Sequence, residues 1–233
     1  MNRGAFFASS AALAHAVRVA AQPIPGGSDL VERADEFDGA AFRQAVDRPA
    51  RIRQLYESVA FRPGVLNNIK NSFNGLQFGF GYPAAAISIV FAPHGASSAY
   101  CYRDEIWQRY RIGEFLKLTD SQGLPVASNT FVSQRARFDV AAAPDDEGGM
   151  YQDASLEMLQ RRGLVVLTCH TAVEEHARAL AARGFAPAGA SRGQIADDIL
   201  THLIPGAVVV PAMVAAIAVL QAAYRYTYLA PQL

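Results

Sequence analysis

The chain of 233 residues has no excess of either charge, because its 21 Lys and Arg residues balance its 21 Asp and Glu residues. Nucleic-acid phosphates are bound by a basic excess, so this balance argues against a nucleic-acid partner. No Gly-x-Gly-x-x-Gly follows a predicted strand, and there is no Walker-type phosphate loop. The sequence therefore predicts neither a dinucleotide nor a nucleotide site, and we expect no cofactor.

Cysteine is scarce, since Cys101 and Cys169 are the only two in the sequence. Neither belongs to a C-x-x-C or C-x-x-C-H pair, so the motif evidence for a metal site is weak. No paired carboxylates and no Ser/His/Asp grouping stand out either. Any thiol chemistry must therefore use these two residues.

Long apolar runs are also missing from the body of the chain. The stretch 207–220 is divided by Pro211 and is shorter than the ~20 residues that a helix needs to cross a bilayer. We expect 208–210 to form a buried strand and Pro211 to take the first position of a helix, where its missing N–H costs little. The sequence predicts no stable membrane span once an N-terminal signal is removed.

The first 21 residues have the pattern of an export signal. Arg3 precedes a mostly apolar stretch of small residues at 5–17, and Ala20-Ala21 offers a small-residue cleavage site. The start is similar to a twin-arginine signal, although Gly4 stands where the second arginine would be. We expect 1–21 to direct the protein to the periplasm or another exported location; the alternative is an amphipathic helix that stays attached.

The rest of the chain divides into a Pro/Gly-rich linker with short helices at 22–61 and one α/β domain at 62–233. Apolar spacing predicts two short helices, one around Phe42 and Val46 and one around Ile52, Leu55 and Tyr56. We expect strands at 86–91, 126–132, 164–168, 208–210 and 226–229. Alternating strands and helices predict a mostly parallel sheet of about five strands with helices on both faces.

The most informative segment is the strand 164–168, which leads directly into a helix. Cys169 lies at this junction, and Thr171 with Glu174 fits a Thr-x-x-Glu capping box. We expect His176, one turn further on, at the surface. In open α/β sheets, ligands and chemistry gather at the carboxyl ends of strands, which is where this spacing places Cys169.

Three further residues are expected near Cys169. His94 follows the strand 86–91, Cys101 lies in the loop beyond it, and His170 follows Cys169 directly. If the two strands are neighbours, these side chains and Thr171 converge on one edge of the sheet.

Four interpretations of Cys169 stay open. A thiolate at a helix N-terminus is favoured by the helix dipole, and such a cysteine can carry a persulfide or form a mixed disulfide. Thiolate and imidazole together also suit copper or zinc. A Cys101–Cys169 disulfide is compatible with an exported location. Finally, a lone cysteine can be a small buried hydrophobe.

Two segments carry a family resemblance. The segment 155–172, SLEMLQRRGLVVLTCHTA, and the segment 205–214, PGAVVVPAMV, with Leu220-Gln221 and an aromatic last strand, resemble the DsrE/DsrF-like family over about 62–229. The resemblance implies a flavodoxin-like domain, a homo-oligomer, and sulfur passed along cysteine persulfides, with Cys169 as the sulfur-bearing position and a sulfur donor or acceptor protein as partner. The export signal and the long 119–150 connection argue against a tRNA-linked relay. The alternative is a non-catalytic module of the same fold that binds a small ligand, a metal or a partner chain.

Overall fold

The computed structural model describes residues 31–34, 37–62, 64–133 and 139–231. The export signal expected at 1–21 lies outside these residues.

The described residues form five strands and eight α-helices. The strands are β1 Ile52–Ser58, β2 Ile87–Pro93, β3 Leu164–Cys169, β4 Ala207–Val210 and β5 Thr227–Leu229. The α-helices are α1 Gly39–Val46, α2 Gly64–Asn74, α3 Asp104–Arg109, α4 Ile112–Phe115, α5 Leu156–Arg161, α6 His170–Ala182, α7 Arg192–Thr201 and α8 Met213–Ala222. A π-turn at Gly75–Gly79 and 3-10 helices at Ala84–Ala86 and Gly95–Cys101 complete the regular structure.

The five strands make one sheet in the order β4-β3-β2-β1-β5, and every pair is parallel. The register pairs Leu55 with Val90 and Val90 with Val165 across the centre of the sheet. This architecture is α/β and flavodoxin-like, as the sequence predicts.

Helices cover both faces of the sheet, and side chains of β1 to β4 alternate between two core clusters. Ile89 and Phe91 of β2 belong to the larger cluster, which is completed by α2 to α7. Val90 of the same strand belongs to the smaller cluster, which is covered by α1 and α8. The connections from β1 to β4 thus run on one face, and the return from β4 to β5 runs on the other, as right-handed crossovers require when the direction reverses.

The prediction of a short helix around Ile52, Leu55 and Tyr56 is wrong, since these residues belong to β1. Leu55 and Tyr56 are both buried but belong to opposite core clusters, which a strand between two helical layers requires. Their spacing mimics a helix, and periodicity alone does not separate the two in so short a run. The sheet therefore begins upstream of the boundary expected at residue 62.

The strand expected at 126–132 is also wrong. This segment is a loop fixed by Asn129, whose side-chain amide donates to the carbonyl oxygens of Tyr100 at 2.9 Å and Tyr102 at 2.8 Å. The backbone N–H of Asn129 donates to the carboxylate of Asp104 at 2.7 Å. Buried side-chain hydrogen bonds thus replace the ladder that a strand would supply.

The helix starts at the end of the chain differ in detail from the expected ones. Ser191 and Gln194 form a capping box at the start of α7. The one expected at Thr171 is wrong, because α6 begins at His170 with Cys169 as its N-cap. Pro211 does not open α8, which begins at Met213. Among the described residues, no helix has the length and apolar character needed to cross a membrane.

Candidate functional site at the carboxyl edge of the sheet

Strands β2 and β3 are hydrogen-bonded neighbours, so their carboxyl ends lie side by side. His94 directly follows β2, and Cys169 is the last residue of β3. The sequence-based condition for a shared edge is therefore met. The side chains at this edge nevertheless divide into two groups, one around Cys169 and one around His94.

Two helix starts converge on the sulfur of Cys169. Its Sγ accepts the backbone N–H of Ala172, in the first turn of α6, at 3.4 Å. It also accepts the N–H of Met213, the first residue of α8, at 3.2 Å. Both donors belong to the unsatisfied N–H groups that every helix start presents. They are placed to stabilise negative charge on a sulfur atom at this position.

Burial works against that charge. Cys169 is only 4 % exposed. Desolvation by burial raises the pKa of the Cys169 thiol, and the hydrogen bonds from Ala172 and Met213 oppose the rise without cancelling it. The fall in pKa that the helix dipole favours is thus outweighed, and the resting form at neutral pH is the thiol.

Thr171 and His170 shape the surroundings of Cys169. The Thr171 hydroxyl donates to the carbonyl oxygen of Pro211 at 2.9 Å. This bond ties the start of α6 to the loop between β4 and α8, which holds the Met213 N–H against the sulfur. The Nδ1 atom of His170 is buried without a hydrogen-bond partner.

Cys101 is on the other side of the sheet from Cys169. It belongs to the larger core cluster, whereas Cys169 belongs to the smaller one. Its thiol donates to the carbonyl oxygen of Leu167 at 3.5 Å, and burial raises its pKa to about 12. Both cysteines are free thiols, so the disulfide alternative is not realised.

His94 contacts β1 rather than either cysteine. Its Nε2 lies 2.8 Å from Oε1 of Glu57, and the other carboxylate oxygen of Glu57 accepts the hydroxyl of Tyr228. The side chains of Glu57 and His94 are 16 % and 17 % exposed. The hydrogen bond to Glu57 raises the pKa of Tyr228.

Sequence reasoning found His94 but missed Glu57 and Tyr228. Glu57 lies on β1, which the apolar spacing assigned to a helix. Tyr228 lies in the predicted last strand, but its contact with Glu57 depends on the pairing of Leu55 with Tyr228, two strands far apart along the chain. No local sequence signal reports such a pairing.

His176 is a further correction, because it is buried rather than at the surface. Its Nδ1 is hydrogen-bonded to the hydroxyl of Tyr102 at 2.8 Å, and its ring packs edge-on against Phe115. Burial lowers the pKa of His176 to about 4. The ring is therefore a neutral part of the core at neutral pH.

The soft-metal interpretation finds no support in the geometry. Within the described part of the chain, no three His, Cys, Asp or Glu side chains are grouped so that they could hold a metal ion.

Comparison of the whole chain with protein-family models, with curated proteins and with solved structures gives no match in any of the three.

Proposed function

We propose that this chain is an exported sulfur-handling protein of the DsrE/DsrF type, in which Cys169 carries sulfur as a persulfide. One observation carries the proposal: the sulfur of Cys169 accepts backbone N–H groups from the starts of two helices, α6 and α8. A persulfide is a stronger acid than its parent thiol, so the modified residue is the form that gains most from these donors. The resemblance of 155–172 to that family agrees with this choice of residue.

The proposed chemistry is sulfur exchange without net oxidation. The Cys169 thiol gives up its proton and attacks the terminal sulfur of a donor persulfide. A new S–S bond forms to Cys169, the S–S bond of the donor breaks, and the donor leaves as a thiolate that takes the proton. Delivery to an acceptor thiolate runs by the same step in reverse. The neutral thiol at rest keeps the unloaded residue unreactive until a donor is bound.

Mass spectrometry of the intact folded protein after treatment with inorganic polysulfide tests the proposal. We expect one added sulfur atom that dithiothreitol removes, mapped to Cys169 by peptide analysis. The matched variants are Cys169→Ser and Cys101→Ser, which remove one buried thiol each. Loading should vanish in Cys169→Ser and persist in Cys101→Ser.

A different distribution of sulfur would overturn the proposal. Loading that survives in Cys169→Ser, or that requires denaturant in the native sequence, assigns Cys169 to core packing. Circular dichroism of both variants checks that they are folded.

The exported location is part of the same proposal and rests on the sequence of 1–21. Expression of the full chain in a bacterium with a periplasm should yield a protein whose N-terminus is Gln22. A full-length chain retained in the cytoplasm would contradict export.

The proposed homo-oligomer has apolar side chains available on α8. Val214 is 67 % exposed and Val219 is 44 % exposed, although both lie on a helix whose other face packs on the sheet. Exposed apolar side chains in one patch are typical of protein contacts. Sedimentation of the native protein should show an assembly that a Val214→Glu variant weakens, whereas a monomeric native protein contradicts this part of the proposal.

A further inference from the structure

A second candidate site lies near the β5 edge of the sheet, between the carboxyl ends of β1 and β5 and away from β3. The chain runs from β1 to β4 in one direction and then returns to place β5 on the free side of β1. The carboxyl ends of β1 and β5 therefore lie side by side at this edge of the sheet. In open α/β sheets, ligands bind in crevices outside the carboxyl ends of the strands.

A cavity of about 320 Å³ occupies this crevice. Its lining includes Glu57, Ser58, Val59, Ala60, Arg62 and Tyr228. Its volume is at the small end of the range of about 300–1,000 Å³ for small-molecule sites. Tyr228 is 39 % exposed, so the cavity opens to solvent.

The carboxylate of Glu57 is fixed before any ligand arrives. His94 donates to one of its oxygens at 2.8 Å, and the Tyr228 hydroxyl donates to the other. An ionised carboxylate accepts about four hydrogen bonds, so two donors leave it with acceptor capacity. Glu57 is therefore a preorganised acceptor in the wall of the cavity.

The backbone around Glu57 is held equally firmly. Buried hydroxyls of Ser58 and Ser97 are 2.7 Å apart, and the N–H of Ser97 donates to the carbonyl oxygen of Val59 at 3.1 Å. The N–H of His94 donates to the carbonyl oxygen of Ser58 at 2.9 Å. These bonds join the loop after β1 to the loop after β2, so a ligand meets a wall that is already formed.

We infer that this crevice binds a small carboxylate that also bears an amino or hydroxyl group. Glu57 accepts the N–H or O–H of the ligand, and the guanidinium of Arg62, an exposed residue in the lining, contacts its carboxylate. A guanidinium is suited to this role because its planar donors match the two oxygens of a carboxylate. The site does not use Cys169, because β2 separates β1 from β3.

Binding is measured by titrating the isotope-labelled full chain with L-serine and with lactate and following backbone amide shifts by NMR. We expect saturable shifts at 57–62 and at Tyr228. Ethanolamine lacks the carboxylate and propionate lacks the donor, so each should bind at least about tenfold more weakly than L-serine.

Three variants assign the effect to residues. Glu57→Gln and Arg62→Gln should each weaken binding by about tenfold or more, since each removes one charged hydrogen-bonding partner. Cys169→Ser should leave binding unchanged, which separates this site from the proposed sulfur chemistry. Arg62 is exposed, so its variant keeps the test valid even if Glu57→Gln fails to fold.

Three results would overturn the inference. One is the absence of saturable shifts at 57–62 with both L-serine and lactate. The other is equal affinity for L-serine in the native protein and in folded Arg62→Gln. Equal binding of ethanolamine or propionate would likewise contradict recognition of both ends of the ligand.

Discussion

At the scale of single residues, the two cysteines show how local donors modify the effect of burial. Both thiols are buried, and burial raises the pKa of each. The Cys101 S–H donates a hydrogen bond to the carbonyl oxygen of Leu167, which favours the neutral thiol, whereas the Cys169 sulfur accepts hydrogen bonds from two N–H groups, which favour the anion. Cys169 is therefore the more acidic of two poorly acidic thiols.

His176 gives a prediction for stability against pH. Its pKa is lowered to about 4 in the folded protein, against about 6.5 when unfolded, so the unfolded chain binds more protons between these values. The neutral ring makes its full contribution to the free energy of unfolding above about pH 6.5, and this contribution is lost as the pH falls toward 4. Between pH 7 and pH 5 we expect a loss of about 2 kcal/mol from this residue.

Urea unfolding at pH 7 and pH 5 of the native protein and of His176→Gln measures this loss. The variant cannot take up the proton, so its free energy of unfolding should fall less over the same interval, by about 2 kcal/mol. Equal pH dependence in both proteins would mean that His176 keeps an ordinary pKa.

The candidate site shows what sequence can and cannot reveal about single residues. The positions of Cys169 and His94 at strand ends followed from local patterns, because a strand, its end and the next element are adjacent along the chain. The hydrogen bonds of Glu57 with Tyr228 and of Cys169 with Met213 were not accessible in this way. Each depends on the order of strands in the sheet, which tertiary packing decides.

At the scale of secondary-structure elements, the position of α4 depends on Gly113, where the backbone of Val126 comes very close to the helix. A Cβ at this position would lie 2.0 Å from the carbonyl oxygen and 2.8 Å from the nitrogen of Val126. Backbone atoms cannot move away as a flexible side chain can. The helix and the loop that begins near Val126 therefore need a glycine here.

Gly113→Ala should destabilise the protein by about 3 kcal/mol or more, because the loop must separate from α4. Gly75→Ala is the matched control, since a Cβ there meets nothing within 4 Å. It should be neutral or stabilising by up to about 1 kcal/mol. Thermal unfolding of both variants checks the difference, and a Gly113→Ala protein as stable as Gly75→Ala would show that this packing is wrong.

The elements themselves were predictable where local signals agree. β3 forms where the apolar run at 164–168 predicts a strand, directly after α5, which begins at the N-cap Ser155 and ends just before Gly163. The prediction missed β1 because a strand that is buried on both faces does not show the alternation of apolar and polar residues that identifies a strand. The strand prediction at 126–132 was wrong because the apolar residues of this loop pack individually on the core, and its backbone forms no hydrogen-bonded ladder with another strand.

At the scale of the whole molecule, β1 is the strand on which the sheet depends. It pairs with β2 along its full length and with β5 on its other side. Without β1, β5 has no strand to pair with and β2 loses its hydrogen-bonded neighbour on one edge. A fold that needs β1 cannot be contained in 62–233.

We therefore expect a truncated chain of residues 62–233 to lack cooperative thermal unfolding, whereas one of residues 37–233 should unfold cooperatively. Circular dichroism at increasing temperature distinguishes the two. A cooperative transition in the shorter chain would mean that the sheet forms without β1.

The central claim is that the starts of α6 and α8 support negative charge on Cys169. The most direct measurement is the pH dependence of iodoacetamide alkylation of each cysteine in the folded protein, read by peptide mass spectrometry. We expect Cys169 to be alkylated at a lower pH than Cys101, whose pKa is about 12, though above the pH for an ordinary exposed thiol. Alkylation of Cys169 only after denaturation, or together with Cys101, would contradict the claim.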